Sequence, residues 1–90
     1  MEGGRHLRTL FVPHIPNTVS ERDVYLTFAP FGELVGVSIP LDRRTQARRG
    51  HCFVEFEDRD DAKEALDNLD GLNFFGISLR VQFAKHLQSE

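Results

Sequence analysis

An eight-residue run, RGHCFVEF, at residues 49–56 carries the side chains most suited to binding chemistry. Because successive side chains of a β-strand point to opposite faces, His51 and Phe53 are expected on one face and the apolar side chains between them on the other. A second run, LFVPHI at residues 10–15, alternates in the same way and places Phe11 opposite its aliphatic neighbours. Flat rings on an open sheet face, with arginines nearby, can stack against unpaired nucleobases.

The opposite strand phase is the alternative, in which the rings are ordinary core residues. It would bury His51 and Glu55 and expose Cys52, Val54 and Phe56. Burying an unpaired carboxylate is expensive. We therefore expect Cys52, Val54 and Phe56 in the core and the rings on the open face.

Two segments show the period of an amphipathic helix. In the first, Val24, Phe28 and Phe31 recur at spacings of four and three residues, and Ser20 with Asp23 is close to a capping box. In the second, apolar residues occur at i, i+3, i+4 and i+7: Ala62, Ala65, Leu66 and Leu69. Both stripes are predicted to face one core.

Strand-like segments surround these helices, at residues 8–12, 34–39, 49–57 and 78–84. The order βαββαβ predicts an α+β fold of the ferredoxin-like sandwich type, a four-stranded antiparallel sheet with two helices on one face. Residues 74–76 are predicted to form a turn or a short hairpin arm. We expect a flexible arm at 1–7, a single domain at 8–85 and a polar tail at 86–90.

The charge distribution matters more than the net charge of −3. Seven of the 14 acidic residues fall between Glu57 and Asp70, whereas most arginines lie elsewhere. Since the local potential governs encounter with phosphate, an acidic chain can still have a basic binding face. A single cysteine forms no internal disulfide, which favours a reducing compartment. No apolar run approaches the ~18 residues that a membrane span needs.

Enzyme and metal chemistry fit the sequence poorly. His51 and Cys52 are neighbours on a predicted strand, so they face opposite sides and cannot form a catalytic pair. The four histidines (His6, His14, His51 and His86) lack zinc-ligand spacing, and there is no Gly-rich nucleotide loop. We expect a binding module without a catalytic residue, metal or cofactor, in which Cys52 is a small core side chain.

The two runs together resemble ribonucleoprotein motifs 1 and 2 of the RNA recognition motif (RRM) family, and the resemblance covers residues 8–85. It implies that Phe11 and Phe53 stack two successive bases of single-stranded RNA. It implies that Arg49 pairs with a phosphate, a role that suits the guanidinium fork. Contacts to base edges are implied for the last strand and its exit, at Arg80, Gln82 and Lys85.

Some positions depart from the family or are open to two interpretations. His51 stands where Phe or Tyr is usual; an imidazole is a smaller platform that can also bear charge. His14 follows Pro13 where a small residue and Asn are usual, and is either a donor at the sheet edge or a solvated side chain. The loop between the middle strands either clamps phosphates or is simply solvated, through Arg43, Arg44 and Arg48.

Residues 39–42 (IPLD), 75–76 and 79–81 resemble a narrower group, the N-terminal RRM of nuclear cyclophilin-type peptidyl-prolyl isomerases. In that group the RRM binds RNA and can recruit a chromatin-reading domain, and the isomerase domain would lie outside these 90 residues. The competing interpretation is an RRM that binds a peptide or protein partner. We expect a monomer that binds single-stranded RNA in pre-mRNA or mRNA processing, in the nucleus or alternatively the cytoplasm.

Overall fold

The computed structural model describes residues 5–85. The chain forms β1 (Thr9–Pro13), α1 (Glu21–Phe28), β2 (Leu34–Ser38), β3 (His51–Phe56), α2 (Arg59–Leu69), β4 (Asn73–Phe74), β5 (Ile77–Ser78) and β6 (Gln82–Phe83). The main sheet has the order β2-β3-β1-β6 with antiparallel neighbours, while β4 and β5 pair as a separate hairpin. This is the predicted α+β architecture, with the predicted hairpin arm.

One hydrophobic core lies between the sheet and both helices. Alternate side chains of β1 and β3 are buried at 0% exposure: Leu10, Val12, Cys52, Val54 and Phe56. They join the buried faces of the two helices in one cluster through Val24, Phe28, Ala62, Ala65 and Leu69. The predicted strand phase is therefore confirmed, and both helices cover the same face of the sheet.

A capping box starts α1, as the sequence predicts. The Ser20 hydroxyl accepts a hydrogen bond from the Asp23 backbone N–H at 3.0 Å, and the Asp23 carboxylate accepts one from the Ser20 N–H, also at 3.0 Å. Both bonds satisfy backbone donors that have no partner within the helix. They fix the point at which the chain leaving β1 turns into the helical layer.

The last strand is shorter than predicted, because its backbone donors are used elsewhere. Only Gln82–Phe83 pairs with β1, whereas Ser78 pairs with Asn73 in the hairpin. The Leu79 N–H donates to a carbonyl of the preceding segment, and the Val81 N–H donates to the Asp70 carboxylate at 2.8 Å. The predicted strand at 78–84 is thus divided between a hairpin arm, an irregular link and a short edge strand.

The N-terminal segment differs from expectation where the structure describes it. Arg5–Arg8 forms a 3-10 helix that lies against α2, so the predicted loose arm has regular structure at its inner end. The Arg8 guanidinium fixes this end by donating to the Phe56 carbonyl at 3.1 Å. The rest of the predicted arm, residues 1–4, and the predicted tail at 86–90 lie outside the described residues.

Candidate nucleic-acid interface

Three rings on β1 and β3 form a continuous cluster on the face opposite the helices. Phe11 pairs directly with Phe53 in the strand register, and His51 lies two residues before Phe53 on the same face. The ring centroids are 5.5 Å apart for Phe11 and Phe53, 5.3 Å for Phe11 and His51, and 5.4 Å for His51 and Phe53. All three side chains are half-buried. We call Phe11, His51 and Phe53 the ring cluster; it gives the open face flat apolar surface.

A shallow cavity of about 280 Å³ adjoins the ring cluster where β6 leaves the sheet. It is lined by Phe11, Phe53 and residues 82–85. Gln82 pairs with Phe11 across the strands and is exposed, as is Lys85. The structure thus places Gln82 and Lys85 beside the rings, and their contact with base edges stays a prediction. Ligand sites are typically apolar concavities with a small number of precisely placed polar groups at the rim.

The carboxylate on this face has a cationic partner. Glu55 follows the rings on the same side of β3, and its Oε2 atom lies 3.0 Å from the Arg8 guanidinium. The two side chains are 18% and 32% exposed, so this pair is partly shielded from solvent. Arg8 therefore offsets the negative charge that Glu55 would otherwise present to an anionic ligand.

Acidic and basic residues lie in different parts of the fold. The acidic segment from Glu57 to Asp70 comprises α2 and its two ends, on the helical side of the sheet. Arg43, Arg44 and Arg49 are exposed on the connection between β2 and β3. The net negative charge is thus concentrated on the helical layer, away from the ring cluster.

Arg48 is not free in the way that a phosphate clamp requires. Its guanidinium donates to the backbone carbonyls of Pro16 at 3.1 Å and Asn17 at 2.8 Å, and also to that of Val19. These carbonyls belong to the loop between β1 and α1, about thirty residues away in the chain. The geometry therefore makes Arg48 a staple between two loops, a role that differs from both interpretations of the sequence, a phosphate clamp and a solvated side chain.

Arg80 and His14 are not brought into the ring cluster. Arg80 lies beside the end of α2, with its Nε atom 3.6 Å from Asp70 Oδ1, and it is absent from the cavity lining. His14 is exposed with a φ of 60° immediately after β1, a conformation uncommon for a residue other than glycine. The role of each in binding stays a prediction.

The described part of the chain shows neither a reactive cysteine nor a group of side chains that could bind a metal ion. Burial raises the pKa of the Cys52 thiol to about 12, so the thiol stays protonated and is a poor nucleophile. Within residues 5–85, no group of three or more potential ligands is placed to hold a metal ion. No helix in the same range is long and apolar enough to cross a membrane.

Arg8, Phe83 and Ala84 are parts of this face that sequence reasoning missed. Phe83 is partly buried and packs against the core, and the Arg59 guanidinium lies 4.8 Å from the centroid of its ring. Phe83 and Ala84 also line the cavity. The sequence did contain a signal for the Arg8–Glu55 pair, because Arg8 directly precedes β1 and β1 pairs with the strand that holds Glu55. The sequence contained no signal for the part that Phe83 and Ala84 take in the cavity lining, since that depends on where β6 leaves the sheet.

Comparison with known families identifies the family to which the chain belongs. The family model of the RNA recognition motif matches residues 10–80. The chain belongs to the RNA recognition motif family. The RRM assignment agrees with the two ribonucleoprotein-like runs on β1 and β3. The narrower resemblance to cyclophilin-type isomerases stays a prediction.

Individual relatives of this RRM include proteins of splicing and translation. The chain is 41% identical over 78 residues to serine/arginine-rich splicing factor SC35 of Arabidopsis thaliana, covering 87% of this chain and 26% of that protein. It is 38% identical over 79 residues to a component of eukaryotic translation initiation factor 3 of Emericella nidulans, covering 88% and 27%. The chain thus spans about a quarter of the length of these relatives.

A solved structure shares the fold over almost the whole chain. The Sxl-lethal protein/RNA complex superposes with a TM-score of 0.82 at 26% sequence identity, covering 90% of this chain and 48% of that one. The four-stranded sheet with two helices on one face is therefore the RRM architecture in this chain.

Proposed function

We propose that this RRM binds single-stranded RNA on its open sheet face. The observation that carries the proposal is the ring cluster: three rings within 5.5 Å of one another on adjacent strands, facing away from the core. Apolar rings on a face without covering helices gain from stacking with unpaired bases. The family membership and the Sxl-lethal protein/RNA complex support the same ligand class.

The surroundings of the rings suit a short stretch of RNA. Phe11 and Phe53 provide the stacking surface, His51 extends it, and Gln82 and Lys85 stand beside the cavity to meet base edges. Arg49 provides an exposed cation next to β3 for the phosphate backbone. We propose contact with about two to five nucleotides by a monomer that needs no metal or cofactor.

The proposal also covers the cellular process and the compartment, which the relatives of the chain support. Splicing and translation proteins both stand among them, which supports work on pre-mRNA or mRNA in the nucleus, or alternatively in the cytoplasm. The competing function, binding of a peptide or protein partner, predicts a different contact surface from the ring cluster.

Substitution of one stacking ring tests the proposal. Phe53→Ala should weaken binding of a labelled random pool of short RNA by about five- to 150-fold, equivalent to ~1–3 kcal/mol for one lost base stack. The domain should remain folded, because the ring lies outside the core cluster. Fluorescence anisotropy gives the affinity, and thermal unfolding confirms the fold.

Phe75→Ala is the matched control, since it removes a ring that is 55% exposed in the turn of the β4–β5 hairpin. It should bind RNA as the parent does. Backbone amide shifts on RNA addition should concentrate around residues 11 and 53. A parent that binds no RNA, or Phe53→Ala that binds as tightly as the parent, would reject the stacking site and favour the protein-binding function.

A further inference from the structure

The edge of the main sheet at β6 carries an arginine that lies over an aromatic ring. The guanidinium carbon of Arg59 is 4.8 Å from the centroid of the Phe83 ring. Arg59 is the first residue of α2 and is exposed, whereas Phe83 is partly buried and packs against the core. We call Arg59 and Phe83 the edge pair. Its guanidinium thus lies over a ring that the core holds in place.

The edge pair adjoins the ring cluster through the shallow cavity. Phe83 lines this cavity together with Phe11 and Phe53. Phe11 pairs across the strands with Gln82, the residue before Phe83, and β6 is the outer strand of the sheet on this side. An RNA strand that leaves the ring cluster across β6 therefore passes the edge pair.

The local structure of α2 does not account for an arginine at this position. A cation in the first turn of a helix opposes the macrodipole, which favours negative charge there, and Asp60 and Asp61 follow that rule. Among the salt bridges of the described residues none includes Arg59, so an ion pair does not account for it either. Departures from local rules are expected at functional or strained positions.

The charge around Arg59 favours a base over a phosphate as its ligand. Asp58 and Asp60 are exposed on either side of Arg59 in the chain, so the local charge repels the RNA backbone. A guanidinium plane, in contrast, stacks on aromatic faces and on unpaired bases. A base above Arg59 would complete a stack of ring, guanidinium and base.

We propose that Arg59, supported by Phe83, is a further stacking position at the β6 edge, which takes an unpaired base of an RNA strand extending beyond the ring cluster. The contact with Phe83 restricts the guanidinium before RNA arrives, which lowers the ordering cost of binding. The inference rests on the proposed function and adds to it a base-binding position at the start of α2.

Two substitutions of Arg59 separate stacking from charge. Arg59→Ala removes the plane and the charge, whereas Arg59→Lys removes the plane and keeps the charge. Both should weaken binding of a labelled random RNA of five nucleotides by about five- to tenfold, the lower part of the range for one base stack, because the position is exposed. The salt dependence of binding should match that of the parent in both variants, because no phosphate contact is lost.

Removal of the terminal bases tests whether the ligand of Arg59 is a base. When the first and last nucleotides of the five-nucleotide RNA lack their bases, the phosphates remain, and both Arg59 variants should bind as the parent does. Lys63→Ala is the control, since it removes a cation that pairs with Asp67 on the exposed face of α2, and it should match the parent on both RNAs. Thermal unfolding should show that Arg59→Ala is folded, because alanine is a strong helix former.

Each outcome decides for or against a stacking position at Arg59. Binding of the intact RNA by Arg59→Ala as tight as that of the parent overturns the inference and leaves RNA binding by the ring cluster intact. A loss in Arg59→Ala that Arg59→Lys does not share indicates a phosphate contact and overturns the stacking role. A loss that persists on the RNA without terminal bases also overturns it, because the effect then acts through the ring cluster or the backbone. A parent that binds neither RNA removes the proposed function and this inference with it.

Discussion

Arg48 offers the sharpest test of structure against sequence, because the two assign it different roles. In the structure its guanidinium joins the β2–β3 connection to the loop between β1 and α1 through three backbone carbonyls, those of Pro16, Asn17 and Val19. Replacing Arg48 by alanine should therefore destabilise the domain and leave the intrinsic RNA affinity of the folded protein close to that of the parent.

The magnitude follows from the number and exposure of these bonds. A hydrogen bond to a charged group contributes about 1.5–3 kcal/mol when well shielded. Asn17 is exposed and Arg48 is only half-buried, so water replaces part of what the substitution removes. We expect a net loss of about 2 kcal/mol in the free energy of unfolding. For a domain of this size, that corresponds to a fall of about 8–16 °C in the melting temperature.

Arg44→Ala is the matched control for Arg48→Ala, since it removes the same charge from the same connection. The Arg44 side chain is exposed, so its loss should change the melting temperature little and should weaken RNA binding. Urea unfolding measures stability, and anisotropy measured well below the melting temperature gives affinity. If Arg48→Ala unfolds like the parent and loses RNA affinity as Arg44→Ala does, the staple is wrong and the phosphate clamp is right.

Two further substitutions probe the packing of the fold and the chemistry of the ring cluster. Gly32→Ala should lower the free energy of unfolding by about 1–3 kcal/mol in urea titration, because a Cβ atom there would lie 2.6 Å from the Asp61 Cβ and closer still to its carboxylate. Gly36→Ala is the control, since a Cβ atom at Gly36 meets no atom within 4 Å. Equal stability of the two variants would contradict the packing argument. For His51, replacement by phenylalanine should strengthen RNA binding modestly, because an imidazole is a smaller stacking platform than a phenyl ring. An RNA affinity of His51→Phe equal to that of the parent would show that this position does not stack on a base.

The sequence by itself determined the fold and the ring cluster, because both depend on local periodicity. Alternation along residues 51–56 decides which side chains are buried, and the opposite phase would have buried a carboxylate. The capping box at Ser20 and the helical stripe of α2 are likewise patterns within a few residues of one another. Such signals survive in the sequence because their energetic cause is local.

Contacts between distant segments were decided only by the tertiary structure. The sequence shows that Arg48 is a cation in a polar stretch, but not that three carbonyls of residues 16–19 lie within reach of its guanidinium. It shows an apolar alternation through Val81, but not that the Asp70 carboxylate takes the Val81 N–H and shortens the last strand. Hydrogen-bond donors are satisfied by whichever acceptor the folded chain brings close, and that choice is made by packing rather than by the neighbouring residues.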